Sequence, residues 1–302
     1  MALEFASNLL KHDRVIVLTA CLQQPYVFLT QIPHIFKSDK DFVIQVVNRA
    51  GSMLEHASEE LQKDKEVVLA AVQAYGCALQ FALNDLNNDK QVVLTAVKQD
   101  GFALEFASHQ MALDKEVTLA AAEQCIGSLE YASYELCNDK EFMLQLIHID
   151  CEALEYASQE LKKDKEFLLA AITLNEEVLD YVPKQLRYSK EFMLSAIKKN
   201  GKAFNYTGLS LRGDQELMLS AIQHDPRVLR YGRNIAREVI LEAVKKDGLA
   251  LMFSGIRNDE EIVLEAIKCN GFANEYTKEL MNYRLEHYYS GAYLGKNWDN
   301  IH

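Results

Sequence analysis

Four arginines stand close together in the string PRVLRYGRNIAREV, and their side chains suit the binding of an anion. They are Arg227, Arg230, Arg233 and Arg237. A guanidinium group can donate two parallel hydrogen bonds to a phosphate or a carboxylate. If Gly232 turns the chain, the four side chains could converge around one turn as an anion-binding patch. The alternative is a solvated face whose arginines pair with acidic groups of neighbouring segments.

These arginines belong to a segment whose charge differs from that of the rest of the chain. From Lys184 to Lys246 there are thirteen Lys and Arg against six Asp and Glu, a net charge of +7 that leaves −19 for the remainder. We name residues 184–246 the basic segment. It also contains Lys198, Lys199 and Lys202 as candidate contacts for an acidic protein or an anionic lipid headgroup. The whole chain carries −12, which argues against a general nucleic-acid-binding protein.

Carboxylates recur before the basic segment at spacings of 25 residues or a multiple of 25. We name five of them the acidic ladder: Glu55, Glu105, Glu130, Glu155 and Asp180. Lysines such as Lys65 and Lys90 recur with the same period. One interpretation is a solvated face on which the two rows partly offset each other, where exposed pairs add little stability. The other is an acidic zone, over about residues 53–180, that binds a basic partner.

An aromatic residue directly follows most members of the acidic ladder. We name the later ones the aromatic ladder: Tyr131, Tyr156, Tyr181, Tyr206 and Tyr231. An aromatic residue at a fixed place in a repeat is most often a packing residue. Because a tyrosine hydroxyl needs water or a partner, the alternative is that these rings line a groove and stack on a ligand.

The residues that could support catalysis or hold a metal do not form a recognised constellation. Known metalloprotease, nucleotide-binding and nucleophile motifs are absent from the sequence, and the six cysteines include no C-x-x-C pair. Cys137 and His148 could approach each other as a nucleophile and a base, but a chance pairing is the simpler interpretation. We therefore expect no enzyme activity, no cofactor, no metal and free thiols.

A repeat of 25 residues predicts the helices on which these residues lie. Repeats begin at Asp13, Asp39, Asp64, Asp89, Asp114, Asp139, Asp164, Ser189, Asp214, Ala236 and Asp259, and each is numbered here from 1 to 25. Positions 4, 5, 8 and 9 are apolar, which is the pattern of one helical face. The residue at position 1, such as Asp89, suits a helix N-cap. A regular period of this length predicts a helical solenoid.

A glycine at position 13 and an apolar second half complete each repeat. Gly101 and its equivalents are predicted to be the left-handed residue that ends the first helix. A second, shorter helix carries FALEFAS, and a leucine at position 23 anchors the return to the next repeat. We therefore predict an all-α fold, an α-solenoid of about eleven helix-turn-helix repeats. We expect it to be a single domain over 1–281, with right-handed stacking and curvature.

The two ends of the chain depart from the regular repeat. ALEFAS near the start matches positions 15 to 20, so residues 1–12 are predicted to be a half repeat. It is either a cap on the stack or a sign that the chain is part of a longer protein. Residues 282–302 are rich in tyrosine and are predicted to be a C-terminal cap or tail. The sequence shows no membrane-spanning run and no ordinary secretory signal.

The units DKEVVLAAVQAYGCALQFA and DKEFLLAAITLNEEVLDYV carry a resemblance that extends to about Leu280. Their pattern, D-K-E-x-V-L-x-A-V-x-x-x-G-x-A-L-x-x-A-S, resembles an uncharacterised helical repeat family known only as a domain of unknown function. Its members are seen in protists, amoebal giant viruses and intracellular bacteria. The resemblance implies an effector acting inside a host cell and no catalytic residues. Ile126, Cys151 and Glu176 replace the position-13 glycine, so helix ends there are expected to differ.

Together these features predict a non-catalytic scaffold that binds another protein. The alternative is a module that binds anionic lipid or a membrane surface through the basic segment. The predicted location is the cytoplasm, or a host-cell cytosol reached without a classical signal peptide.

Overall fold

The computed structural model describes residues 7, 9–25, 32–256 and 259–273. The chain divides into two compact units, Met1–Lys163 and Asp164–His302, and each is described by itself. The tail at 282–302 and most of the half repeat at 1–12 lie outside the described residues.

Each predicted repeat start is followed directly by a long α-helix. In the first unit these are α1 (Arg14–Gln23), α2 (Lys40–Arg49), α3 (Lys65–Ala74), α4 (Lys90–Gln99), α5 (Lys115–Gln124) and α6 (Lys140–Ile149). In the second unit they are α7 (Lys165–Leu174), α8 (Lys190–Lys199), α9 (Gln215–Ile222), α10 (Arg237–Lys246) and α11 (Glu260–Cys269). No strand occurs in the described residues, and the predicted all-α class is confirmed.

The first residue of the repeat caps the long helix as predicted. The Asp89 carboxylate accepts hydrogen bonds from the backbone N–H groups of Gln91 and Val92, at 3.0 and 3.2 Å. These donors have no partner within the helix, so the carboxylate satisfies them. Ala236 is the exception and gives α10 no side-chain cap. The helix then buries positions 4, 5, 8 and 9, which in α4 are Val92, Val93, Ala96 and Val97.

The second half of the repeat is not the single α-helix that the sequence predicts. Positions 13 to 18 form a 3₁₀ helix, and a short third segment follows it. The 3₁₀ helices are Gly51–His56, Gly76–Phe81, Gly101–Phe106, Ile126–Tyr131, Cys151–Tyr156, Glu176–Asp180, Gly201–Tyr206, Pro226–Tyr231 and Gly248–Ala250. The long helices before Ile126, Cys151 and Glu176 end at position 11, as α4 does, so the expected difference in helix ends is not found.

The short third segment carries the predicted anchoring leucine. It is α-helical at His34–Lys37, Glu59–Gln62, His109–Ala112, Tyr134–Cys137 and Lys184–Arg187, and 3₁₀ at Leu86–Asn88, Leu161–Lys163 and Leu209–Leu211. A 3₁₀ turn at Leu10–His12 precedes α1, and Gly248–Ala250 continues into a short α-helix, Leu251–Ser254. Leu61, Leu86, Leu136 and Leu161 are buried, which confirms the anchor in the first unit.

The glycine at position 13 has a role that the sequence analysis assigned wrongly. Gly101 is not left-handed; among the described glycines only Gly255 has a positive φ. The α-helix ends instead at an extended residue, Asp100, and Gly101 opens the 3₁₀ helix. A Cβ atom on Gly101 would lie 2.5 Å from the Ala121 carbonyl oxygen of the next repeat. The glycine is needed because two backbones approach closely, not because the chain turns left-handed.

Within each unit the long helices pack against their neighbours in chain order. Each of α2 to α5 contacts the next helix, and so does each of α7 to α10. One repeat cannot cover its own apolar face, so the buried core is shared between neighbours, which is solenoid-like packing. Handedness, curvature and the single domain over 1–281 stay predictions. Among the described residues, no helix has the length and apolar character needed to cross a membrane.

Candidate functional site

The lysine or arginine at position 2 forms an ion pair with the next repeat, and these pairs make a row along each unit. Each cation contacts the N-cap aspartate or the position-3 glutamate of the next repeat. In the first unit the pairs with aspartate are Arg14–Asp39, Lys40–Asp64, Lys65–Asp89, Lys90–Asp114 and Lys115–Asp139, at 2.6 to 3.1 Å. In the second unit Lys190–Asp214 and Arg237–Asp259 lie at 2.8 and 2.6 Å, and Lys165–Glu191 lies at 3.8 Å. We name this row the capping ladder.

The lysines at position 2 were expected to offset the acidic ladder, but they contact the N-cap aspartates instead. The Lys65 ammonium lowers the pKa of the Asp89 carboxyl, and Lys115 does the same for Asp139. One aspartate therefore caps its own helix and also binds the preceding repeat. This arrangement was not predicted, although the D-K-E string, which recurs every 25 residues, contains all three charged groups. The lysines of the capping ladder contact these caps rather than the acidic ladder.

The acidic ladder is exposed in the structure, as predicted. Glu55, Glu105, Glu130, Glu155 and Asp180 are all exposed. Glu55 lies 3.6 Å from the His56 ring, and Asp180 lies 3.9 Å from the Arg187 guanidinium. They are the last carboxylates of their 3₁₀ helices, whereas the capping-ladder lysines contact carboxylates at the N-termini of α-helices.

The aromatic ladder is half-buried beside the acidic ladder. Tyr131 packs edge-on against Phe102, with ring centroids 6.5 Å apart. Burial raises the pKa of the Tyr131 hydroxyl, and the Glu105 and Glu130 carboxylates raise it further. Tyr156 has a raised pKa for the same reasons, burial first. Tyr131 therefore packs against a neighbouring ring, and the hydroxyls of Tyr131 and Tyr156 lie in the negative potential of nearby carboxylates.

The four arginines with which the sequence analysis began have separate partners. Arg227 lies 3.8 Å from the Asp247 carboxylate, and the Arg230 guanidinium lies 4.6 Å from the centre of the Tyr231 ring. Arg237 occupies position 2 of its repeat and binds Asp259 and Glu261, at 2.6 and 2.5 Å. Arg233 is exposed in the loop between them. Arg237 thus belongs to the capping ladder, and its guanidinium is engaged by Asp259 and Glu261.

The three candidate lysines also differ in their surroundings. Lys198 and Lys199 are exposed in the last turn of α8, where a cation is stabilised by the helix dipole. The Lys202 ammonium lies 2.8 Å from the Glu176 carboxylate of the preceding repeat. Glu176 takes the place of a position-13 glycine, so the substitution that breaks the repeat pattern provides the partner of Lys202.

A cavity of about 350 Å³ lies between the second halves of the repeats that begin at Asp164 and Ser189. Its walls include Lys184, Arg187, Tyr188, Asn205, Thr207 and Arg212. Of the residues predicted from sequence, Asp180 and Tyr206 also line it. The sequence analysis did not single out the six wall residues. One sequence signal could have indicated them. Thr207 is at position 19 of its repeat, where most repeats have Ala or Val.

Three of the six thiols have surroundings that disfavour reaction. Burial raises the pKa of Cys21 to about 11, and burial together with Asp100 raises that of Cys77 to about 11. Burial also raises the pKa of Cys137, the residue that was paired with His148 as an alternative. A raised pKa lowers the thiolate fraction at neutral pH. Within the described stretches no cluster of three His, Cys, Asp or Glu side chains could hold a metal.

The fold and these surfaces define an α-helical repeat protein whose ordered charges bind one repeat to the next. The family model described as a domain of unknown function (DUF4116) matches residues 27–62, 39–87, 64–112, 114–161, 139–187, 189–234 and 237–281. The chain belongs to this family, as its repeat pattern predicts. The matches to 64–112 and 114–161 each span two of the 25-residue repeats. No curated protein and no solved structure matches the chain.

Proposed function

We propose that the chain is a non-catalytic scaffold that binds a basic segment of another protein through the first unit. The observation that supports this is the capping ladder. Because Lys65, Lys90 and Lys115 contact the caps of the next repeats, they do not cover the exposed carboxylates of the acidic ladder. A row of carboxylates beside half-buried tyrosines suits Lys and Arg side chains, which bind carboxylates and stack on aromatic rings.

The proposal is tested with a fluorescein-labelled peptide in which Lys and Arg alternate with Gly and Ser. We expect the full chain to bind it, with affinity falling between about 50 and 200 mM salt because screening weakens exposed charge contacts. The variant Glu105→Gln, Glu130→Gln, Glu155→Gln should bind about tenfold or more weakly, since three contacts are lost. Fluorescence anisotropy measures both affinities.

The matched control is Glu123→Gln, Glu135→Gln, Glu141→Gln, which removes three exposed carboxylates of the same unit outside the acidic ladder. Its affinity should stay within about twofold of the unmodified chain. Equal losses in both variants would show a response to net charge alone and would contradict the proposal. Absence of binding at low salt would also contradict it.

The alternative function, binding of anionic lipid through the basic segment, has weaker support. Lys190, Lys202 and Arg237 are held in ion pairs, so part of the segment's positive charge is neutralised within the protein. Lys198 and Lys199 remain exposed. Salt-dependent sedimentation with phosphatidylserine vesicles, lost in Lys198→Gln, Lys199→Gln, would favour this alternative over the basic peptide.

The absence of catalysis and the site of action are further parts of the proposal. The raised pKa values of Cys21, Cys77 and Cys137 support a protein without a reactive thiol. Rapid alkylation of one cysteine at neutral pH would contradict it. A role as an effector in a host-cell cytosol rests on the family resemblance, and detection of the chain in infected host cytosol would test it.

A further inference from the structure

Two 3₁₀ helices, one in each unit, have the same local arrangement and opposite surface charge. They are Cys151–Tyr156 in the first unit and Pro226–Tyr231 in the second. Each is capped by an aspartate, Asp150 or Asp225, whose carboxylate accepts from the backbone N–H of the second helical residue at 2.9 Å. Each helix buries its third and fourth residues. The second and fifth residues of both helices are therefore left toward the surface.

The second and fifth residues are carboxylates in one helix and guanidinium groups in the other. They are Glu152 and Glu155 in the first unit, and Arg227 and Arg230 in the second. Because residues three apart eclipse each other in a 3₁₀ helix, each pair lies along one edge of its helix. Glu152 is half-buried, and the other three residues are exposed. The two helices thus display pairs of opposite charge at the same spacing.

A further charge of the same sign accompanies each pair. Glu130 is the exposed fifth residue of the preceding 3₁₀ helix, and Arg233 is exposed just beyond Tyr231. We name two surfaces from these residues: the acidic edge is Glu130, Glu152 and Glu155, and the basic edge is Arg227, Arg230 and Arg233. After burial, the three carboxylates of the acidic edge are what raises the pKa of the Tyr156 hydroxyl, so they surround one point of the surface.

The two edges are not paired with each other inside one copy of the chain. Among the described residues, no ion pair involves a carboxylate of the acidic edge, and none involves Arg230 or Arg233. Arg227 approaches the Asp247 carboxylate only to 3.8 Å, and its side chain stays 61% exposed. The Arg230 guanidinium lies over its neighbour, 4.6 Å from the centre of the Tyr231 ring. Both edges are therefore available to a partner.

A second copy of the chain carries the matching surface for each edge. Both edges are built on the same type of six-residue helix, so the spacing between their charges is the same. When an acidic and a basic edge lie side by side, each guanidinium can face a carboxylate and donate two parallel hydrogen bonds to it. An unrelated flexible basic segment would provide positive charge without this fixed spacing.

We propose that copies of this chain associate through the acidic edge of one copy and the basic edge of another. The inference rests on the proposed function in one respect, the use of Glu130 and Glu155 as binding groups, and it names a second copy as a source of the basic partner. The contact joins different surfaces of the two copies, so it is heterologous, and one edge of each copy remains for a further pairing.

Sedimentation velocity of the full chain tests this association, at about 50 and 500 mM salt and about 1–100 µM protein. We expect the sedimentation coefficient to rise with concentration at low salt and to be that of a monomer at high salt, because screening weakens exposed charge pairs. General repulsion between copies of net charge −12 would give the opposite salt dependence. Association that strengthens at low salt therefore reports local pairing.

Reversal of one edge at a time identifies the contact. The variants Arg227→Glu, Arg230→Glu and Glu152→Arg, Glu155→Arg each lose one of the two complementary surfaces, so each alone should associate about tenfold or more weakly. Mixed in equal amounts they should associate again, because the acidic surfaces of one variant face the basic surfaces of the other. The same residues changed to Gln should show the loss without the recovery. Thermal unfolding checks that each variant is folded.

The matched control is Glu123→Arg, Glu135→Arg, which makes the same change in net charge at exposed residues outside the acidic edge. It should associate at least as strongly as the unmodified chain. Three results would overturn the proposal: a monomer at low salt, reversed variants that associate as the unmodified chain does, or folded variants whose mixture does not recover. A monomeric chain that still binds the labelled basic peptide would reject this contact and leave the proposed function intact.

Discussion

At the residue scale, the N-cap aspartate of a regular repeat caps its own helix and also binds a cation of the preceding repeat, which for Asp89 lies 24 residues earlier. Asp89 accepts hydrogen bonds from the start of its own helix and binds Lys65 of the preceding repeat, at 2.7 Å. The first contact is local and is predictable from the N-cap position. The second depends on how two repeats stack. A single side chain therefore links helix formation to the association of repeats.

Substitution of Asp89 separates these two contributions. Asp89→Ala should lower the free energy of unfolding by about 1–2 kcal/mol, because the cap and the ion pair are both lost. Asp89→Asn should lower it by less than about 1 kcal/mol, because asparagine caps as well as aspartate and only the partly exposed ion pair is lost. Urea unfolding measures both values. Equal losses would show that the ion pair, not the cap, stabilises this position.

At the element scale, the six-residue 3₁₀ helices are set by contacts between repeats. A 3₁₀ helix of this length is uncommon, because its hydrogen-bond geometry is poorer than that of an α-helix. Here the helix begins at a buried glycine that lies against the next long helix, and its third and fourth residues, such as Ala103 and Leu104, are buried. A Cβ atom on Gly101 would lie 2.5 Å from the Ala121 carbonyl oxygen, so a glycine at position 13 allows this 3₁₀ helix to approach the next long helix closely.

Alanine substitutions at Gly101 and Gly127, in successive repeats, test whether close backbone approach is what requires the glycine. Gly101→Ala should cost about 1–3 kcal/mol of stability, because its Cβ would lie 2.5 Å from the Ala121 carbonyl oxygen. Gly127→Ala is the control, since its nearest neighbours would lie 3.5 Å or more away. The control should be neutral or more stable by about 0.5 kcal/mol, because alanine restricts the unfolded chain. Chemical denaturation compares them, and similar losses would contradict the close-approach explanation.

At the scale of the whole molecule, the capping ladder makes stability depend on pH. The pKa values of Asp39, Asp89, Asp139 and Asp259 are all lowered from 3.8, in each case chiefly by the cation of the preceding repeat. Below this value the unfolded chain takes up protons before the folded chain does. The stabilisation is therefore present above about pH 4 and is lost as the pH falls through the folded pKa values.

This dependence is measured by comparing the unmodified chain with Lys65→Gln, Lys115→Gln. The unmodified chain should melt at the higher temperature near pH 7, and the difference should shrink below about pH 4 as Asp89 and Asp139 become protonated. Differential scanning calorimetry across this range gives the two curves. A difference that stays constant down to about pH 2 would show that the lysines stabilise the fold by packing rather than by charge.

Features that depend on neighbours along the chain could be predicted before the structure was known. The positions of the long helices follow from the N-cap and the apolar face, which involve residues one to five apart, such as Asp89 and Val92. The exposed acidic ladder and the half-buried tyrosines beside it follow from the same periodicity. Features that join residues about 20 to 25 apart appear only in the folded structure. The approach of Gly101 to Ala121 and the pairing of Arg237 with Asp259 are of this kind, because only stacking places one repeat's groups against the next.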